Sequence, residues 1–245
     1  MKGLAWWVAW IIVCLPAGAL AGLGLIEFNV DGGPYDGGFL GYLVLFGGFL
    51  ALGQSPFLFY FSRALQQRQS DSSPEADTTL GAALGWMLTG FAGWTIGSVV
   101  SIGWPGVSAG IEPSVAYLSS RALPWLMMGL LQGGVFAMSI SGAFHGRAFA
   151  LLFWSYGVWS VVTVLGGLLL EGFVALLTPQ QPGGLELQEI YSATVGDYFR
   201  EIGVPENLAN IVLPCSLLVA LLYGLPTGIA LVAIRHSVRR SVSSD

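Results

Sequence analysis

The sequence predicts an all-α integral membrane protein, a six-helix bundle in one transmembrane domain, and three observations predict it. Hydrophobic residues make up 54% of the 245 and charged residues only 9%, against about 25% charged in a soluble domain that covers itself with polar surface. With a mean hydropathy of +0.72, this chain needs lipid as its cover. Six apolar stretches, near 4–26, 40–61, 80–102, 123–140, 149–170 and 211–234, approach the ~20 residues that cross a ~30 Å hydrocarbon core at ~1.5 Å each. Small residues also recur every fourth position in several stretches, most fully at Gly81, Gly85, Thr89, Gly93, Gly97 and Ser101. Small side chains let helix backbones approach, which drives association where burying Leu gains little.

The first span carries one charge before it, Lys2, and Pro16 is expected to kink it. A signal peptide ending at Ala19-Leu20-Ala21 is the rival reading, but the apolar run exceeds a usual h-region, so the span is expected to stay. A Gly-rich loop with Asp31 and Asp36 leads to the second span, where Gly47, Ala51 and Ser55 repeat the four-residue spacing. Residues 66–79 read as a flexible polar linker before the third, central span. Trp104 to Ala122 reads as a loop or half-buried cap, with Trp104 and Trp125 bracketing the membrane interface. The fourth span has Gly129, Gly133, Ala137 and Ser141 in step; the fifth places Tyr156, Ser160, Thr163 and Gly167 on one face, with Trp159 beside them. In the outer cap, 178–208, Leu187, Ile190, Tyr191, Thr194, Tyr198 and Ile202 have helical period, predicting one amphipathic surface helix. The sixth span is broken by Pro214 and Pro226 and carries Gly224 and Gly228 four apart.

Basic residues set the orientation. With six spans and the N-terminus inside, Lys2, Arg63, Arg68, Arg147, Arg235, Arg239 and Arg240 lie inside, and only Arg121 and Arg200 lie outside. Both termini are therefore expected to be cytoplasmic.

The even spans resemble one another around Leu52-Gly53-Gln54-Ser55-Pro56, Leu130-Leu131-Gln132-Gly133-Gly134 and Gly224-Leu225-Pro226-Thr227-Gly228. The odd spans open with aromatic clusters: Trp6-Trp7 with Trp10, Trp86 with Trp94, and Trp154 with Trp159. Three helical hairpins arranged as parallel repeats would produce this pattern. Trp86 to Gly97, with Leu131-Gln132, resembles uncharacterised bacterial multi-pass proteins carrying repeated Trp-x6-Gly-Trp-x2-Gly and Gly-x2-Gln elements; the fifth span departs from it at Gly157-Val158. That resemblance covers about half the chain and implies only a Gly-packed helical bundle, with no activity attached; the expected location is a bacterial plasma (inner) membrane.

Residues that could carry chemistry are few. Gly106-Val107-Ser108-Ala109-Gly110 fits a serine nucleophile elbow, but the only histidines, His145 and His236, are expected at the opposite membrane face. No His, Cys, Asp or Glu grouping has metal-ligand spacing, and no nucleotide loop is present, so neither metal nor cofactor is expected. Cys14 and Cys215 sit inside apolar runs and read as small hydrophobes. A net charge of −5 held mostly in loops gives no footing for nucleic acid. His145, Arg147, Arg239 and Arg240 could meet lipid headgroups, but ordinary positive-inside anchoring is the favoured account of them. Gln54 and Gln132 are the most polar side chains deep in the spans and should face inward, to a polar cavity or to other helices. Tyr156, Trp159, Ser160 and Thr163 form a second candidate face. Helix packing is assigned to Gly85, Thr89, Gly93, Gly97, Gly129, Gly133, Gly224 and Gly228. The spans lack an acidic or basic residue near mid-membrane, which disfavours ion-driven transport.

The expected role is a non-catalytic subunit acting through helix contacts with a membrane-protein partner or a second copy. The alternative is a carrier or capture component for a small-molecule ligand, powered by a partner. In size and six spans the chain resembles the substrate-binding components of energy-coupling-factor vitamin transporters in outline.

Overall fold

A computed structural model of the chain describes residues 2–28, 37–66, 76–107, 113–144, 147–177 and 212–242. They form an all-helical bundle. We name its helices α1 (Lys2–Phe28), α2 (Gly37–Gln66), α3 (Ala76–Val107) and α4 (Pro113–Ile140), the last ending in a 3-10 turn, Ser141–Phe144. The next two are composite. Helix α5 runs through Ala148–Leu152, a π-helical turn Phe153–Val158 and Trp159–Leu177. Helix α6 runs through Leu213–Leu218, a π-helical turn Val219–Gly224 and Leu225–Val242. The amphipathic helix expected in 178–208, His145, and Ser108 lie outside the described residues.

Five helices contain segments long and apolar enough to cross a membrane: Gly3–Leu23, Thr79–Ser101, Leu118–Ile140, Ala148–Leu170 and Cys215–Val238. The chain is a multi-pass membrane protein. The expected second span, 40–61, is helical but is not among the five found in the described residues. Trp104 to Ala122 is not simply a loop, since α3 continues to Val107 and α4 begins at Pro113. Trp125 is no interface residue either. It is wholly buried against Trp94 and Tyr223, because the missing side chain of Gly167 admits its ring. Helix α6 also runs on past 234, the expected limit of the sixth span, to Val242, and so includes Arg235, Arg239 and Arg240.

Each helix packs on its neighbours in sequence, and α6 returns to α1, so the bundle is a closed ring. Outside, Leu4, Val8 and Ile12 on α1, Leu80, Leu84 and Leu88 on α3, and Val161, Leu165 and Leu169 on α5 form exposed aliphatic stripes. Inside lie Gln54, Gln132, Thr163 and Thr227, each fully buried. Apolar outside with polar inside is the arrangement lipid favours.

Glycines hold the ring closed. A side chain at Gly93 would meet the Met128 backbone at 2.6 Å, and one at Gly97 the Pro124 backbone at 2.5 Å, so α3 and α4 touch backbone to backbone. Gly129 and Gly133 do the same for α4 against Ser160 and Ser155 of α5, and Gly228 admits Trp7 of α1 beside α6. Gly85 faces Val135, and Gly224 faces Cys14. The four-residue row on α3 is not a single seam, however. Four residues turn a helix by ~400°, so such a row drifts ~40° per step. Gly81 consequently faces open space, and Thr89 is half-buried with its hydroxyl turned back to the Gly85 carbonyl at 2.7 Å. Gly90, between Ala51 and the Gln132 amide, joins the buried seam instead.

Prolines are accommodated locally. Pro56 frees the Leu52 carbonyl of α2, and the Ser55 hydroxyl donates to it at 2.8 Å.

Replacing Gly93 or Gly97 with Leu is expected to destabilise the bundle by about 3 kcal/mol or more through overpacking, whereas Gly81→Leu leaves it unchanged. Thermal unfolding of the detergent-purified variants reads this contrast, and equal behaviour at the three sites would remove the seam.

Candidate functional site

Three tryptophans meet at the centre of the ring. Trp10, Trp86 and Trp159, one from each odd helix, are all wholly buried, with ring centroids 6.5, 6.1 and 5.3 Å apart pairwise. Phe136 packs against Trp86 and Trp159 at 4.9 and 4.8 Å, and Phe57 closes on Trp10 at 5.0 Å. Edge-to-face geometry dominates, as expected where the positive rim of one ring meets the negative face of another.

An indole N–H has no water to turn to at this depth, so each needs an acceptor from a neighbouring helix. Trp10 Nε1 donates to Thr227 Oγ1 at 2.8 Å, tying α1 to α6. Trp86 Nε1 donates to Gln54 Oε1 at 3.2 Å, tying α3 to α2. In both cases an odd helix is clamped to the even helix before it around the ring. Gln54 and Gln132 hold the same place in two of the similar even-span segments, and Thr227 lies one place later in the third. The third clamp, Trp159 to Gln132, is not made: Trp159 Nε1 and both Gln132 amide atoms are buried without hydrogen-bond partners.

Four residues beyond each tryptophan, the next turn presents Cys14, Gly90 and Thr163. These are small, and longer polar groups fill in around them. Gln54 Nε2 lies 3.9 Å from Cys14 Sγ. Gln132 Nε2 lies 3.2 Å from the point a side chain on Gly90 would occupy. The Tyr223 hydroxyl lies beside Thr163 and Gln54, yet reaches hydrogen-bonding geometry with neither, and the Ser160 and Thr163 hydroxyls are unpartnered as well. Both π-helical turns border this region, one ending just before Trp159 and the other containing Tyr223. A π turn inserts a residue and re-aims the side chains after it, and such turns are common at functional sites. Pro226 lacks the N–H that would hold the Leu222 carbonyl, which accounts for the turn in α6. In α5 the Ser155 hydroxyl bonds back to the Leu151 carbonyl at 2.6 Å, a contact that loosens a helix.

Of the residues expected to line a cavity or join helices, the structure therefore gathers Gln54, Gln132, Trp159, Ser160 and Thr163 into one buried layer. Tyr156 stands apart. It lies in the π turn, half-buried, with its hydroxyl near Gly134. Sequence reasoning missed Tyr223, Thr227 and Cys14 as members. Thr227 lies in the third repeated segment, one place beyond the position the glutamines hold, while Tyr223 reads in sequence as one more apolar residue of the sixth span. Among the headgroup candidates, Arg147 and Arg240 are exposed, and Arg239 sits in the last turns of α6. Arg235, by contrast, is 7% exposed, with its guanidinium 5.2 Å over the Trp6 ring. Among the described residues no His, Cys, Asp or Glu group is placed to hold a metal.

No protein-family model, curated protein or solved structure matches the chain.

Trp86→Phe keeps the ring but strands Gln54 Oε1, and is expected to lower stability by about 2 kcal/mol. Trp10→Phe costs less, about 1 kcal/mol, because the Thr227 hydroxyl keeps its bond to the Tyr223 carbonyl at 2.6 Å. Unfolding midpoints of the two variants in one detergent check the order.

Proposed function

We propose that the chain is a non-catalytic subunit of the bacterial inner membrane, crossing it six times with both termini cytoplasmic and acting through helix contacts with a partner. The observation that carries this reading is a pair of open apolar grooves on the outer face of the ring, each with a glycine in it. One lies between α2 and α3, lined by Gly48, Phe49, Leu52, Met87, Leu88 and Phe91. The other lies between α1 and α6, lined by Gly3, Leu4, Trp7, Ile229 and Val232. A groove with a small residue in a lipid-facing surface is what a foreign transmembrane helix fits, since close backbone approach replaces the missing hydrophobic drive. The interior supports the same reading, because the Trp10 and Trp86 clamps spend polar groups on holding helices together rather than on chemistry. The excess of basic residues at the ends assigned to the inside supports the orientation.

A photoreactive residue in place of Phe91 is expected to capture one discrete membrane protein, or a second copy of the chain, in native membranes. Capture of lipid alone would argue against the subunit role. For the topology, Val115→Cys and Arg240→Cys are placed singly in a chain lacking Cys14 and Cys215. An impermeant maleimide is expected to label the first in intact spheroplasts and the second only in inverted vesicles; the opposite result would turn the protein over.

A further inference from the structure

We infer that the unmade third clamp is a binding site for a small, uncharged, planar molecule carrying both a hydrogen-bond donor and an acceptor. The ring contains three equivalent places where an indole could meet a polar side chain from the helix before it. Two are closed, by Trp10 with Thr227 and Trp86 with Gln54. At the third, Trp159 and Gln132 are both wholly buried and neither is satisfied. The contacts around them show that they share a level. Gly129, one turn to one side of Gln132, abuts Ser160 and Thr163, and Phe136, one turn to the other side, abuts Trp159. Around them five unmet groups form a cluster: an indole N–H, a primary amide with donor and acceptor both unused, and the hydroxyls of Ser160, Thr163 and Tyr223; Trp94 Nε1 and Ser98 Oγ, also unpartnered, lie further along α3.

A protein needing only a tight bundle would fill this place with Leu or Ala, because a buried amide without partners is unfavourable in a medium that cannot hydrogen-bond. Retaining five such groups at one site is the arrangement of a preorganised receptor. The walls define the guest. Trp86, Trp159 and Phe136 border the cluster as rings packed on one another, against which a flat apolar body would insert as they part. Gln132 offers both hydrogen-bonding senses, which suits an amide or lactam edge. Among the described residues the only buried charged side chain is Arg235, held over Trp6 near the start of α1, a turn before Trp10, so a charged guest would find no counterion in this layer. The two π-helical turns supply the means of adjustment, for they lie in the helices that carry Trp159 and Tyr223 and in no other described helix. This site stands whether or not the outer grooves hold a partner, because it lies inside the ring.

Thermal unfolding of the detergent-purified full chain tests it, with benzamide as the probe. Toluene supplies the ring without the amide, and acetamide the amide without the ring. At about 10 mM, benzamide is expected to raise the midpoint by about 3 °C, and toluene and acetamide by less than a third of that. Gln132→Leu is expected to abolish the benzamide shift while folding normally. Thr163→Val, which removes one hydroxyl, should at least halve the shift, and serves alone if the Leu variant does not fold. Absence of a benzamide shift in the parent chain would overturn the assignment, as would an equal shift with toluene or full retention in both variants.

Discussion

An indole N–H in the middle of a lipid-bound bundle must find an acceptor on a neighbouring helix or go without. That constraint organises this protein. Because the Trp10 and Trp86 donors have one acceptor each, the rotation and depth of α1 against α6 and of α3 against α2 are fixed to within a hydrogen bond's tolerance. Packing alone would not fix them, since apolar helices in lipid can slide and rotate at little cost. The glycines then set distance. Backbone contact at Gly93, Gly97, Gly129 and Gly133 brings the helices near enough for side chains on the ring's inner face to reach one another.

Aromatic bulk and small residues alternate down the axis. Trp10, Trp86 and Trp159 fill one level, and Cys14, Gly90 and Thr163 leave room at the next. The long polar side chains of Gln54, Gln132 and Tyr223 reach from the tryptophan level toward that room. Two thirds of the ring treat the arrangement as structure, and the third departs from it where α5 and α6 also depart from regular α-helix.

Much of this was legible in the sequence, for reasons that can be assigned. Composition alone forces a membrane bundle, because 9% charged residues cannot solvate a surface. The inward placement of Gln54 and Gln132 followed from the cost of exposing an amide to lipid. The drift of the Gly81 row did not follow from the spacing as first read, since a period of four is not the period of a helix. Trp125 was misplaced because tryptophan favours interfaces on average, whereas here Gly167 opens a slot for it in the core. Tyr223 was invisible because its polar end is one atom on an apolar body. The π turns leave no local signature at all in α5, where the same residues would read equally well as regular helix.

Ring closure has a consequence for how the chain is made. Helix α1 carries Trp10, and its acceptor, Thr227, belongs to α6, 217 residues later in the chain. Throughout synthesis α1 therefore waits in the bilayer with an unanswered donor and an unfilled flank, and its final rotation is settled only when α6 emerges. A ribosome stalled before α6 thus leaves the central three-tryptophan stack still unlocked.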